Sequence, residues 1–352
     1  MTRVTVILSF LLSGLTFILY YIDVHPGYIF AVSGVALVFL AVLLGWATEA
    51  VAERMGSAWG GFLNATLGNG AEILIAILAI KEGLITIVKA SITGSIIGNS
   101  LFVLGGAFFF GGIRYKELKF NPNMAMLNNS MMALVISALL IPSILTHLSV
   151  EGFTISMSQS FSLLVSIILI VIYFAGLIFL FRTHRGLFKD TESISHRLVN
   201  WGFKKSVIYL VITTAVMIGV VEILINTVEP TLKSLGWGEL FMGAVVLALI
   251  GNAAENSIAL LFAWRKNMDL AFSICINSAQ QIAIFVAPLA VIFGFVYGVP
   301  MDLNFHLLEV IAISLSTLIL VLVTVDHKTN WLEGVQLIGL YLVFAIAFYF
   351  IK

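Results

Sequence analysis

Residues 58–80 read AWGGFLNATLGNGAEILIAILAI, and residues 238–264 read GELFMGAVVLALIGNAAENSIALLFAW. Each is an apolar run about as long as a helix that crosses a ~30 Å hydrocarbon core. Each also carries one carboxylate deep inside, Glu72 in the first and Glu255 in the second. An ionisable group at such a depth costs about 2.5–3.5 kcal/mol on insertion scales, so two of them demand a reason. In both runs an Asn stands three residues before the Glu, Asn69 and Asn252, which puts an amide and a carboxylate on one helical face. Gly68, Gly70 and Gly251 let the helix loosen beside them, freeing backbone carbonyls and admitting a close neighbour.

The rest of the chain has the same character. Of its 352 residues 61% are hydrophobic and only 10% charged, and the mean hydropathy is +1.10, values far outside the globular range. Eighteen basic residues balance eighteen acidic ones, which excludes binding to nucleic acid through bulk charge. Apolar stretches of spanning length lie at 4–21, 28–53, 58–80, 84–112, 122–142, 159–181, 206–228, 238–264, 269–298, 305–325 and 330–351. We therefore expect an all-α polytopic membrane protein of eleven transmembrane helices. No small-residue cleavage site precedes Asp23, so the first run reads as a retained helix.

Charge placement orients these spans. With the N-terminus inside, the inner segments carry Arg3, Arg54, Arg114, Lys116, Lys119, Arg182, Arg185, Lys189, Arg197, Lys204, Lys205, Arg265, Lys266 and Lys328, whereas the outer ones hold only Lys81, Lys89, Lys233 and Lys352. Short cytoplasmic loops are the basic ones. The expectation is a multi-pass protein of the cell membrane, its N-terminus cytoplasmic and its C-terminus outside.

The two Glu-bearing runs are the third and eighth spans, and five spans of separation make them cross in opposite directions. That is the pattern of two inverted five-helix repeats, as secondary transporters use. Residues 1–27 become an extra N-terminal helix and loop, 28–181 the first repeat, 182–205 a cytoplasmic linker and 206–352 the second repeat. The following spans extend the echo. Ser91, Ser95 and Asn99 are spaced by four on one helix, and Ser273, Asn277 and Gln281 repeat the spacing 182 residues later, against 183 between the two Glu. One residue of register is left open. The candidate cation- and proton-binding residues are thus Glu72, Glu255, Asn69, Asn252, Asn99 and Gln281, with Ser95, Asn277, Ser91 and Ser273 as accessory groups. Small and Ser-rich faces are commonly packing surfaces in membranes, so the serines alone favour structure. Glu49 and Glu222 lie nearer the membrane faces, as gate or proton-path groups or as interfacial ones.

Ligand chemistry narrows the cargo. All six histidines fall at span ends or in loops, and Cys275 is alone, so the midplane offers a metal only oxygen. Zinc and copper favour imidazole and thiolate. Calcium accepts six to eight oxygens in flexible geometry, whereas magnesium sheds its water reluctantly. Manganese and sodium stay open. A cation channel with acidic selectivity groups is a rival. An intramembrane hydrolase is poorly served, with no HExxH and no His near a midplane Asp or Ser, and no Gly-Lys dipeptide exists for a P-loop. No cofactor and no enzymatic activity are expected, and a homo-oligomer is left open.

The doubled motif, Gly68-Asn69-Gly70-Ala71-Glu72 and Gly251-Asn252-Ala253-Ala254-Glu255, with Ser-rich helices behind it, resembles the two α-repeats of the cation/proton exchangers, the CAX branch of the calcium/cation antiporter superfamily. The resemblance covers spans 2–11. It implies exchange of Ca²⁺ for H⁺ by alternating access, with Glu72 and Glu255 as the shared metal and proton site. One departure is the linker: family members often carry an acidic helix there, whereas Arg182–Lys205 is basic apart from Asp190 and Glu192.

Overall fold

The computed structural model describes residues 2–55, 60, 63, 66–148, 154–179 and 201–351. The expected linker falls almost wholly outside the described residues. Helices α1 (Thr2–Tyr21) and α2 (Pro26–Met55) come first, then α3 (Gly70–Lys81) and α4 (Ile85–Tyr115). A short strand β1 (Glu117–Lys119) leads to α5 (Pro122–His147) and α6 (Ile155–Ile178). The second half has α7 (Phe203–Asn226), α8 (Val228–Leu235), α9 (Glu239–Gly251), α10 (Ala253–Trp264) and α11 (Met268–Tyr297). Helix α12 (Leu307–Val323), strand β2 (Lys328–Asn330) and helix α13 (Trp331–Phe350) end it.

Among the described residues eight helices are long and apolar enough to cross a membrane, and α9 with α10 forms a ninth, bent by 61°. Helix α12 is shorter, and the first half of the 58–80 run lies largely outside the described residues. The architecture is thus a polytopic helical membrane protein with about eight or nine apolar spans. Two three-residue strands interrupt the all-helical expectation: β1 and β2 pair antiparallel, Leu118 opposite Thr329, where two loops on the Arg114 side meet. A Lys328–Glu117 ion pair at 3.4 Å lies across them.

Burial follows packing rather than hydropathy, since lipid-facing and core-facing positions are equally apolar. Helices α4 and α11 are central and mostly buried, while α1 and α6 are peripheral and mostly exposed. Helices α4 and α9 cross at glycines. A Cβ on Gly94 would collide with the Ala244 backbone, and one on Gly243 would sit 2.6 Å from the Ile87 carbonyl oxygen. Only missing side chains let these backbones touch, which holds a helix of each half at the centre.

Candidate ion-binding site

Both Glu-bearing spans break at the Asn of the motif. Asn69 (φ −92°, ψ 29°) and Asn252 (φ −86°, ψ 5°) adopt the sparsely populated bridge conformation immediately before α3 and α10. Helical bonding resumes at once, with Ile73 N–H donating to the Asn69 carbonyl and Asn256 N–H to that of Asn252, each at 3.0 Å. Glu72 and Glu255 therefore occupy the first turn of a helix that begins inside the protein. The positive end of that half-helix offsets part of the cost of a buried carboxylate. The helix breaks within the motif, but at its Asn rather than at Gly70 or Gly251, which are both helical.

The amides join the two halves. Asn69 Nδ2 donates to Gln281 Oε1 of α11 at 2.6 Å. Asn99 Nδ2 of α4 donates to Asn252 Oδ1 at 2.9 Å and to Ser278 Oγ at 3.0 Å. Asn252 Nδ2 in turn donates to Ser95 Oγ at 2.8 Å and to the Ala248 carbonyl at 2.9 Å. Asn69 thus meets Gln281 and Asn252 meets Asn99, the two residues that the 182-residue offset pairs with each other. π-Helical turns occur at Gly98–Val103 of α4, at Met242–Leu247 of α9 and at Ile282–Val286 of α11, the first containing Asn99 and the last following Gln281. Such turns mark strained, often functional helix segments.

The carboxylates face the same place. Glu72 is buried and packs against the opposite motif: a Cβ on Gly251 would lie 3.3 Å from its Cγ and 3.6 Å from Oε1. It is near enough to Glu255 for their charges to interact. Glu255 is half-buried, with a hydrogen bond to the Ser278 hydroxyl. Glu72 Oε2, Glu255 Oε2, Asn69 Oδ1 and Asn256 Oδ1 are sealed from solvent without a hydrogen-bond partner. Unmet acceptors in a protein interior cost roughly 1–3 kcal/mol each. Buried acceptor atoms of this kind, on two carboxylates whose charges interact and on the amides beside them, suit a cation or protons, and hard oxygen donors fit calcium.

Not every expected residue joins. Asn277 is exposed, and Ser278 stands in the network where the 182 offset put Asn277. An offset of 183, the one separating the two Glu, matches Ser95 with Ser278 but would set Asn99 against Ile282, so the repeat spacing alone did not choose between them. Ser91 is buried against the α4–α9 crossing, and Ser273 donates to Met124 Sδ at 2.9 Å, which is packing rather than site. Glu49 is half-buried beside Glu53, and Glu222 is exposed. Neither enters the network. Among the described residues no three His, Cys, Asp or Glu gather around one point, so the centre stands on two carboxylates and amides.

The sodium/calcium exchanger protein family model matches residues 25–182 and 205–350. The chain is 40% identical over 343 residues to a Ca²⁺/H⁺ antiporter of Synechocystis, covering 92% of this chain and 91% of that one. It is 37% identical over 324 residues to the Ca²⁺/H⁺ antiporter ChaA of Bacillus subtilis, covering 91% and 92%. The solved structure of native YfkE superposes with a TM-score of 0.84 at 34% identity, covering 98% of this chain and 99% of that one.

Proposed function

The chain belongs to the sodium/calcium exchanger protein family, and from that premise we propose that it is an antiporter exchanging Ca²⁺ for H⁺ by alternating access. The observation that carries this reading is the set of Glu72, Glu255 and Asn69 oxygens, unpartnered and buried, at a junction tied across both halves by Asn99, Asn252 and Gln281. The relatives named Ca²⁺/H⁺ antiporters, matched over nine-tenths of their length, support the choice of ions and argue against a channel.

The coupling needs no covalent chemistry, no cofactor and no enzymatic step. Two carboxylates near each other in a poor dielectric are costly when both are charged and unaccompanied, so either protons or a divalent cation must satisfy them. Competition of the two ions for one pair of groups links their movements. Inverted repeats on 28–181 and 206–352, eleven crossings in all and α1 as an extra helix, would let the site open to one side and then the other. Basic loops put the Arg114 end of α4 and the N-terminus in the cytoplasm, with the Lys89 end and the C-terminus outside, in the cell membrane.

Everted membrane vesicles with an imposed pH gradient test the assignment. Ca²⁺ uptake should follow the gradient and stop when an ionophore collapses it. Uptake that ignores the gradient would point to a channel and overturn the proposal.

A further inference from the structure

A second buried polar cluster occupies the Lys89 end of α4, apart from the Glu72 and Glu255 junction. Lys89 Nζ pairs with Asp302 and donates to the Asn304 carbonyl at 2.8 Å. Ser158 Oγ of α6 donates to the other Asp302 oxygen at 3.0 Å. One helical turn along α4, Thr93 Oγ1 donates to Glu309 Oε1 at 3.0 Å, and the His306 backbone N–H donates to Glu309 Oε2 at 2.7 Å. Glu309 is only 2% exposed.

The segment bearing these acids is fixed in place. Met301, Leu303 and Phe305 are buried, Leu303 N–H donates to Ser162 Oγ at 2.9 Å, and Phe305 N–H to Ser143 Oγ at 2.8 Å. A loop with its backbone groups met inside the protein is part of the packed structure. It cannot move without also disturbing α4, α5 and α6.

The charges do not balance. One ammonium, Lys89, faces two carboxylates, Asp302 and Glu309. Among the described residues the other titratable groups nearby bring no second cation to Glu309. His306 is exposed, its Nδ1 accepting from Leu308 N–H at 3.2 Å. His147 of α5 has its Nδ1 against the Ser143 carbonyl at 2.7 Å. Glu239, opening α9, is exposed. With both acids ionised the cluster holds one negative charge in excess at nearly full burial, eased only in part by the two donors to Glu309 and by the start of α12, and a single proton relieves it.

We propose that Lys89, Asp302 and Glu309 form a second proton-binding site, facing the Lys89 side of the membrane and coupled to the ion site through α4. The inference rests on the exchange reading given above. One proton joins Glu309 from the aqueous side and leaves it by the same route, with no other bond made or broken. Its effect is on conformation. Thr93 and Asn99 lie six residues apart on one helix, about 9 Å along its axis. Between them begins the π-helical turn at Gly98–Val103, where a helix most readily changes register. Loading the cluster changes how tightly α12 and the 299–306 segment hold that helix, and so biases the exchange between the two facing states of the transporter rather than the Ca²⁺ affinity of the site.

Purified protein in proteoliposomes, with the pH on the Lys89 side varied at fixed inner pH and saturating Ca²⁺, tests this. Glu309→Gln imitates the protonated cluster permanently. Its rate-versus-pH midpoint should move to alkaline pH by about one unit, a tenfold change in proton concentration. Ca²⁺ affinity of the solubilised protein should stay within threefold of the parent. Thr93→Val, which takes one donor from the ionised carboxylate and leaves the acid in place, should shift the midpoint the same way by less. An unshifted or acid-shifted midpoint in both variants, a uniform fall in rate at every pH, or a parallel loss of Ca²⁺ affinity would overturn the proposal. Absence of gradient-driven Ca²⁺ movement by the parent protein would instead sink the exchange reading itself.

Discussion

Replacing Glu72 or Glu255 by Gln separates the ion-site reading from a structural one, because the two readings demand opposite changes. Glu72 Oε2 and Glu255 Oε2 have no hydrogen-bond partner, so Gln breaks no hydrogen bond at either of these atoms. It also removes one of two neighbouring buried charges and does not raise the insertion cost. The cation-free protein should therefore keep its stability within about 2 kcal/mol. Ca²⁺ binding should respond differently. Deleting one partner of a buried charge pair costs about 3–5 kcal/mol, which is two to three and a half orders of magnitude in Kd at about 1.4 kcal/mol per decade. Thermal melting of the purified variants without Ca²⁺ reads the first quantity. Titration calorimetry reads the second, and gradient-driven uptake into everted vesicles reports transport, which should be abolished. Uptake within threefold of the parent at equal membrane levels would falsify the shared-site mechanism. A variant that no longer melts cooperatively, or loses many degrees of stability without Ca²⁺, would return the carboxylate to a structural role.

Other variants test the geometry. Ser278→Ala removes a hydroxyl bonded to Asn99 and Glu255 and should weaken Ca²⁺ binding about 5- to 30-fold, by about 1–2 kcal/mol. Asn277→Ala, at an exposed position one residue away, should stay within twofold, and the reverse order would mean the register of α11 is wrong. Gln281→Ala strands the Asn69 amide, Asn99→Ala takes from Asn252 Oδ1 its shorter donor and leaves the 3.4 Å bond from Ser278, and each should cost about 1–3 kcal/mol of Ca²⁺ affinity, measured by calorimetry. Normal affinity in both would remove the cross-half network from the site. In a Cys275→Ser background, cysteines at Lys116 and Lys233 should react with impermeant maleimide from opposite faces of the membrane. Labelling of both from one side would end the proposed topology.

The sequence alone determined the class of the molecule and the identity of its central acids. Membrane insertion is a property of contiguous composition, so apolar runs of spanning length announce helices before any tertiary contact exists. A carboxylate in such a run is costly wherever the run packs, and for that reason Glu72 and Glu255 stand out unaided. The doubled Gly-Asn motif predicted a break in each of these spans, which Asn69 and Asn252 make rather than Gly70 or Gly251.

Tertiary structure decided everything that depends on which neighbour a helix face meets. Relative to Gln281, Asn277 and Ser278 lie four and three residues back, on either side of one face, and helical spacing favours neither. The crossing of α4 and α9 at Gly94 and Gly243 settles it, bringing Asn99 and Asn252 to Ser278. Lys89 lies more than two hundred residues before Asp302 and Glu309, and nothing in the sequence joins it to them. Only the fold places them together, since charge pairing in a membrane is set by packing between distant helices, which no local periodicity encodes.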